Sequence, residues 1–143
     1  MRTLLALAAA LLLAAALPAI AQDPLAARKA NRAAMRDDLR WINQQQGSGD
    51  LAAIARRAGA MLARGPAFLA LFPPGSDGGD TGSRPEVWTD WPTFQQREAD
   101  LETRLRELQA AAEAGDRARV QAAVRTAGGA CQACHERFRK PTG

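Results

Sequence analysis

From Pro24 onward the apolar positions recur at steps of three and four, the period of helices buried on one face. Pro24 to about Gln46 is predicted as a first helix. Proline suits a first turn, and Met35, Leu39 and Ile42 follow at helical spacing with alanines around them. Gly47-Ser48-Gly49 ends it. Asp50 is placed to cap a second helix, with Leu51, Ile54, Ala58, Met61 and Leu62 on one face. Gly65-Pro66 is expected to interrupt or kink that helix, because proline removes a backbone donor and its ring crowds the preceding turn. A short apolar continuation follows: Phe68, Leu69, Leu71 and Phe72.

Pro73 to about Thr89 reads as a long loop rich in glycine, proline and aspartate. A loop of this length in a compact domain is usually functional or disordered, and Trp88 and Trp91 at its far end argue that this one is pinned to the body. Asp90 and Pro92 mark the start of a third helix with Phe94, Leu101, Leu105, Leu108 and Ala112 as its buried stripe. Gly115 ends it and Asp116 caps a fourth. The fourth carries Val120, Val124, Ala127, Cys131, Cys134 and Phe138 in alternating steps of four and three, a bundle seam, and Pro141 stops it. Strand-like alternation is absent from the sequence. The expectation is an all-α, antiparallel four-helix bundle with a long loop between helices 2 and 3. Such bundles build cofactor sites between facing helices.

The first 21 residues fit a different purpose. Arg2, an apolar run from Leu4 to Leu17, and Ala19-Ile20-Ala21 make a secretory signal peptide with an A-x-A cleavage site. The run is short of the roughly 20 apolar residues that a membrane span needs. Residues 22–143 are then expected as one soluble, exported domain with no membrane attachment after cleavage. Nineteen Lys and Arg stand against fifteen Asp and Glu, a formal net charge of +4. Losing Arg2 with the leader lowers this by one, to +3. The excess is scattered over helix faces, and the three Trp and four Phe do not interleave with a basic run. That pattern argues against a nucleic-acid reader. A mild positive charge can still steer an acidic partner.

Only two cysteines and one histidine occur, and they lie together as Cys131-Gln132-Ala133-Cys134-His135. On a helix they fall at i, i+3 and i+4, on one side. A redox-active dithiol would want a βαβ setting, and a zinc site would need further Cys or His. Covalent haem attachment uses all three at once. The thiols add to the two vinyl groups of one haem and the histidine ligates its iron. One covalent haem c is therefore the expected cofactor, with iron as its metal. No base, nucleophile or substrate pocket in the pattern suggests an enzyme.

With this motif on the fourth helix, the chain resembles the cytochrome c′ family, the class II c-type cytochromes of bacterial periplasms. The resemblance covers the whole of residues 22–143. It is carried by the run Phe72 to Asp80, the segment Arg84-Pro85-Glu86-Val87-Trp88, and Cys131 through Lys140. It implies that Cys131 and Cys134 hold the haem and that His135 is the proximal ligand. Arg139 matches a family arginine beside the proximal histidine, and Met35 matches the residue that faces the open side of the iron. The family usually has an arginine near the haem propionates four residues before that position. Here Asn31 stands there and Arg32 is one step off, so either Arg32 takes the role from a neighbouring angle or the register shifts by one. Trp88 matches an aromatic at the end of the loop, packed near the haem or against the bundle.

The sixth iron position then decides between two functions. Bis-histidine ligation is excluded by the single histidine. Lys29 and Lys140 have no evident approach, which leaves Met35, Met61 or nothing. An open position gives a gas-binding haem that admits nitric oxide and carbon monoxide. Met35 ligation gives a six-coordinate electron carrier with a raised potential, as in relatives of the cytochrome c-556 type. One-electron transfer in the periplasm is expected under either coordination, with a redox partner protein that no motif identifies. A homodimer through the first two helices is common among the proteins it resembles.

Overall fold

The computed structural model describes residues 23–141. The expected signal peptide and its cleavage site lie outside them. Asp23 starts α1 (Pro24–Gln45) by accepting the Leu25 N–H at 2.9 Å. Asp50 does the same for Ala52 at 2.8 Å and opens α2 (Leu51–Ala70). Asp116 accepts the Arg119 N–H at 3.0 Å and opens α5 (Arg117–Phe138). Each such cap stabilises its helix by about 1 kcal/mol. A single turn, α3 (Glu86–Thr89), precedes α4 (Trp91–Glu113). Gly115 leaves α4 at φ +72°, a left-handed conformation that glycine adopts without strain.

The four long helices alternate in direction. α2 packs along α1 and α4, and α4 packs along α5. No comparably extended packing joins α1 to α5. The turn end of the bundle is tied by Arg117, which donates to the carbonyls of Gln46 (3.1 Å) and Gly49 (2.8 Å). The buried core is divided. One cluster holds Ile42, Ile54, Ala58, Met61, Leu105, Leu108, Val120 and Val124 among others. The second is an aromatic plug of Phe72, Val87, Phe94 and Phe138 at the opposite end. Its rings meet edge to face, with Phe94 5.0 Å from Phe72 and 5.2 Å from Phe138.

The segment from Phe72 to Pro85 forms a strap across the end where α1 and α5 stand apart. On one side Arg28 of α1 donates to the carbonyls of Leu71 and Ser76. On the other, Arg84 N–H donates to Phe138 O (2.9 Å), Lys140 N–H donates to Gly82 O (2.9 Å), and Ser83 bridges Arg139. The loop is thus pinned as expected, and Trp88 takes part by donating to Pro73 O at 3.1 Å.

Four expectations need correction. α2 is not interrupted at Gly65-Pro66 but runs to Ala70. Pro66 lies on an exposed face, where water can meet the carbonyl that its missing N–H leaves free. The long loop ends earlier than Thr89, because Glu86–Thr89 folds into α3. The apolar stripe of α1 is buried only at Ile42; Met35 and Leu39 are half-buried. α1 packs extensively on α2 alone, so Met35 and Leu39 lie at the margin of the main core. Finally, α5 stops at Phe138, three residues before Pro141, because Arg139 turns extended to pair with the strap.

Candidate functional site

Cys131, Cys134 and His135 lie on one side of α5. Cys134 packs on the edge of the aromatic plug, and Met35 of α1 packs on the edge of the other cluster. Residues from helices that do not pack together therefore border the boundary between two cores. A main core with a smaller satellite cluster beneath a long loop is a usual arrangement in a domain, and the CxxCH helix reaches the satellite while Met35 lies against the main core.

Both thiols are free and half-buried. Burial and then the nearby Glu98 carboxylate push the Cys134 thiol up to about 11 and raise that of Cys131. Neither is a thiolate at neutral pH, which argues against a redox-active dithiol. His135 shifts the other way. Its side chain is exposed, yet partial desolvation against α5 lowers its pKa, and the Arg139 and Arg32 guanidiniums lower it further. Its imidazole is thus neutral at pH 7, with a nitrogen lone pair free to ligate. Arg139 holds its place as the α5 cap residue, its N–H donating to His135 O at 3.1 Å. Arg32 is exposed on α1 beside Gly82, and its charge reaches both His135 and Asp80. Asn31, at the position where the resemblance puts an arginine, is half-buried.

Other sequence candidates separate cleanly. Met61 is 2 % exposed and belongs to the core among Ile54, Leu105 and Leu108. Lys29 pairs with Asp80 at 2.9 Å. Lys140 is exposed at the strap. Trp88 packs against Phe72 with ring centroids 6.0 Å apart, at the bundle end.

Three residues escaped the sequence reading. Arg28 is only 6 % exposed, bonded to the strap and laid over the Phe72 ring at 4.4 Å and the Trp88 ring at 5.3 Å. Asp38 is 7 % exposed and accepts from Arg57 and Arg64 of α2, each at 2.7 Å. The signal was present: Arg28, Asn31, Met35, Asp38 and Ile42 alternate by three and four, so the inward seam of α1 carries charges. Glu98 of α4 is the third. Its charge is felt by both cysteines, and burial followed by the Glu102 charge raises its pKa to about 7.

Among the described residues, no three His, Cys, Asp or Glu side chains converge as a cage for a bare metal ion. Open hollows of about 460 and 550 Å³ lie on the face of α4 and α5 around Arg97 and Ala133, and neither includes Cys131, Cys134 or His135. The residues instead fit a tethered planar macrocycle: two thiols and one neutral imidazole on a single helix face, at the edge of a divided apolar interior.

A family model described as Cytochrome C′ matches residues 14–139. Cytochrome c′ of Alcaligenes xylosoxydans xylosoxydans is 42% identical over 71 residues, 50% of this chain and 54% of that protein. Cytochrome c-556 of Agrobacterium tumefaciens is 32% identical over 98 residues, 68% of this chain and 79% of that protein. The chain spans about half the length of the first of these and of the similar Rubrivivax gelatinosus cytochrome c′. Among solved structures, cytochrome c′ from Thermochromatium tepidum superposes with a TM-score of 0.77 at 26% identity, covering 83% of this chain and 95% of that one. A nitric oxide complex of a variant cytochrome c prime from Alcaligenes xylosoxidans gives a TM-score of 0.74 at 29% identity, covering 84% and 95%. The helical bundle, its divided core and its CxxCH helix thus agree with the match along the chain, and the protein belongs to the cytochrome c′ family, whose members carry one covalently attached haem c.

Proposed function

We propose that this chain is an exported, periplasmic monohaem cytochrome that transfers single electrons and admits nitric oxide or carbon monoxide at an open sixth position. One observation carries the reading: Cys131, Cys134 and a neutral His135 share one face of α5, and α1, which carries Met35, does not pack along that helix. When bound, haem supplies a one-electron iron couple and a site for a small axial ligand. Cys131 and Cys134 would tether it, and a neutral His135 would hold the iron. Arg139 and Arg32 add positive charge near that ligand, which favours the reduced state. Met35 presents a thioether wall with no strong hydrogen-bond donor, which suits diatomics better than anions. The nitric oxide complex of the Alcaligenes relative supports this ligand class.

The likeness to cytochrome c-556 favours a second reading, in which the Met35 sulfur ligates the iron and the protein is a carrier alone. The optical spectrum of the reduced protein separates the two. Broad high-spin bands that shift on adding carbon monoxide support the open position. A sharp, split α/β pair indifferent to carbon monoxide would overturn it. Among the described residues no helix is long and apolar enough to cross a membrane, which agrees with a soluble exported domain. A homodimer through α1 and α2 is part of the same proposal, and its test is the mass in solution by light scattering.

A further inference from the structure

We propose that Asp38 and Arg28 are positioning residues that set how far Met35 stands from the haem iron, and thereby the state of the sixth position. The inference rests on the reading that a haem held by His135 faces Met35.

Among the long helices, α1 packs extensively on α2 alone, and less extensively than α2 packs on α4 or α4 on α5. Met35 itself is half-buried and cannot fix the helix. Two clamps do so, one on each side of it along the same seam. One turn after Met35, Asp38 spreads its two oxygens between Arg57 and Arg64, each at 2.7 Å. Arg57 is steadied in turn by stacking 4.4 Å over Trp41. Two turns before Met35, the Arg28 guanidinium donates to Leu71 O (2.6 Å), Ser76 O (2.8 Å) and the Ser76 hydroxyl. Arg28 therefore ties α1 to the strap, which is itself bonded to the end of α5. Ion pairs whose arginines stay partly in contact with water add little to stability by themselves. What they add is a fixed distance. Asp38 fixes α1 relative to α2, and Arg28 fixes it relative to the strap.

The test uses the haem-loaded protein and compares wild type, Asp38→Ala, the milder Arg64→Gln, Met35→Leu, and the Asp38→Ala/Met35→Leu double variant. The readouts are the reduced optical spectrum and the carbon monoxide affinity. If the wild-type position is open, releasing α1 lets the methionine sulfur approach. Split low-spin bands then appear in Asp38→Ala, carbon monoxide affinity falls tenfold or more, and the double variant restores the wild-type pattern. If the wild type is already methionine-ligated, the same release weakens that bond, and affinity rises tenfold or more. The wild-type spectrum alone thus judges the proposed function, and the change on release judges the clamps. Unchanged spectra and affinity in Asp38→Ala and Arg64→Gln overturn the proposal, even if thermal stability falls. A change that persists with Met35→Leu also overturns it. Should Asp38→Ala fail to fold, Arg64→Gln decides by the same criteria.

Discussion

The Glu98 carboxylate lies against the bare backbone of Gly65, its Oε1 3.2 Å from the point a Cβ there would occupy. Glu102 approaches the same point to 2.6 Å, so two carboxylates one turn apart share a confined space between α2 and α4. Burial and that neighbour raise the Glu98 pKa from 4.5 to about 7. An acid whose folded-state pKa is raised binds its proton more tightly when folded. Its contribution is complete below pH 4.5 and is lost as pH rises through 7. The full shift corresponds to about 3 kcal/mol, and partial exposure reduces this to about 1–2 kcal/mol. Urea midpoints should therefore fall between pH 5 and pH 8 in the wild type. In Glu98→Gln that part of the slope should vanish, and an unchanged slope would refute the assignment.

Arg28→Met should cost about 2–4 kcal/mol, since it removes three hydrogen bonds from a charged donor and two aromatic contacts. Arg28→Lys should recover little, because an ammonium cannot fork to two residues and lie flat on a ring. Thermal unfolding measures the loss. Faster proteolysis within residues 73–83 should accompany it.

Replacing both Cys131 and Cys134 by alanine should abolish haem staining on a denaturing gel, and either single replacement should leave a weaker stain from one thioether. Staining that survives in the double variant would place the tether elsewhere.

Arg139→Gln removes a cation that acts on His135. The reduction potential should fall by about 20–60 mV, equivalent to a factor of about 2–10 in the electron-binding equilibrium. High salt should shrink the difference, and a potential equal to the wild type would show that Arg139 does not sense the iron.

The helices and the haem motif were legible because each rests on local chemistry. Asp50 and Asp116 cap where they stand, and CxxCH needs only one helix turn. The course of α2 through Pro66 was hidden, because whether a proline breaks a helix depends on which face it presents to water. Arg28 and Asp38 were missed for a related reason. A charged residue on an apolar seam reads as surface until its partners, 19 to 48 residues away along the chain, are known. That α1 packs on α2 and not along α5 is a property of the assembled bundle and leaves no local trace.

The strap also orders events in time. Residues 82–84 can bond to residues 138–140 only after α4 and α5 have formed and returned to that end, and contacts across so long a stretch of chain form late. Until then the ends of α1 and α5 are held by no common segment. Once the strap is seated, Arg28 of α1 and the end of α5 are bonded to one loop, so the last loop to close acts as a latch on both helix ends.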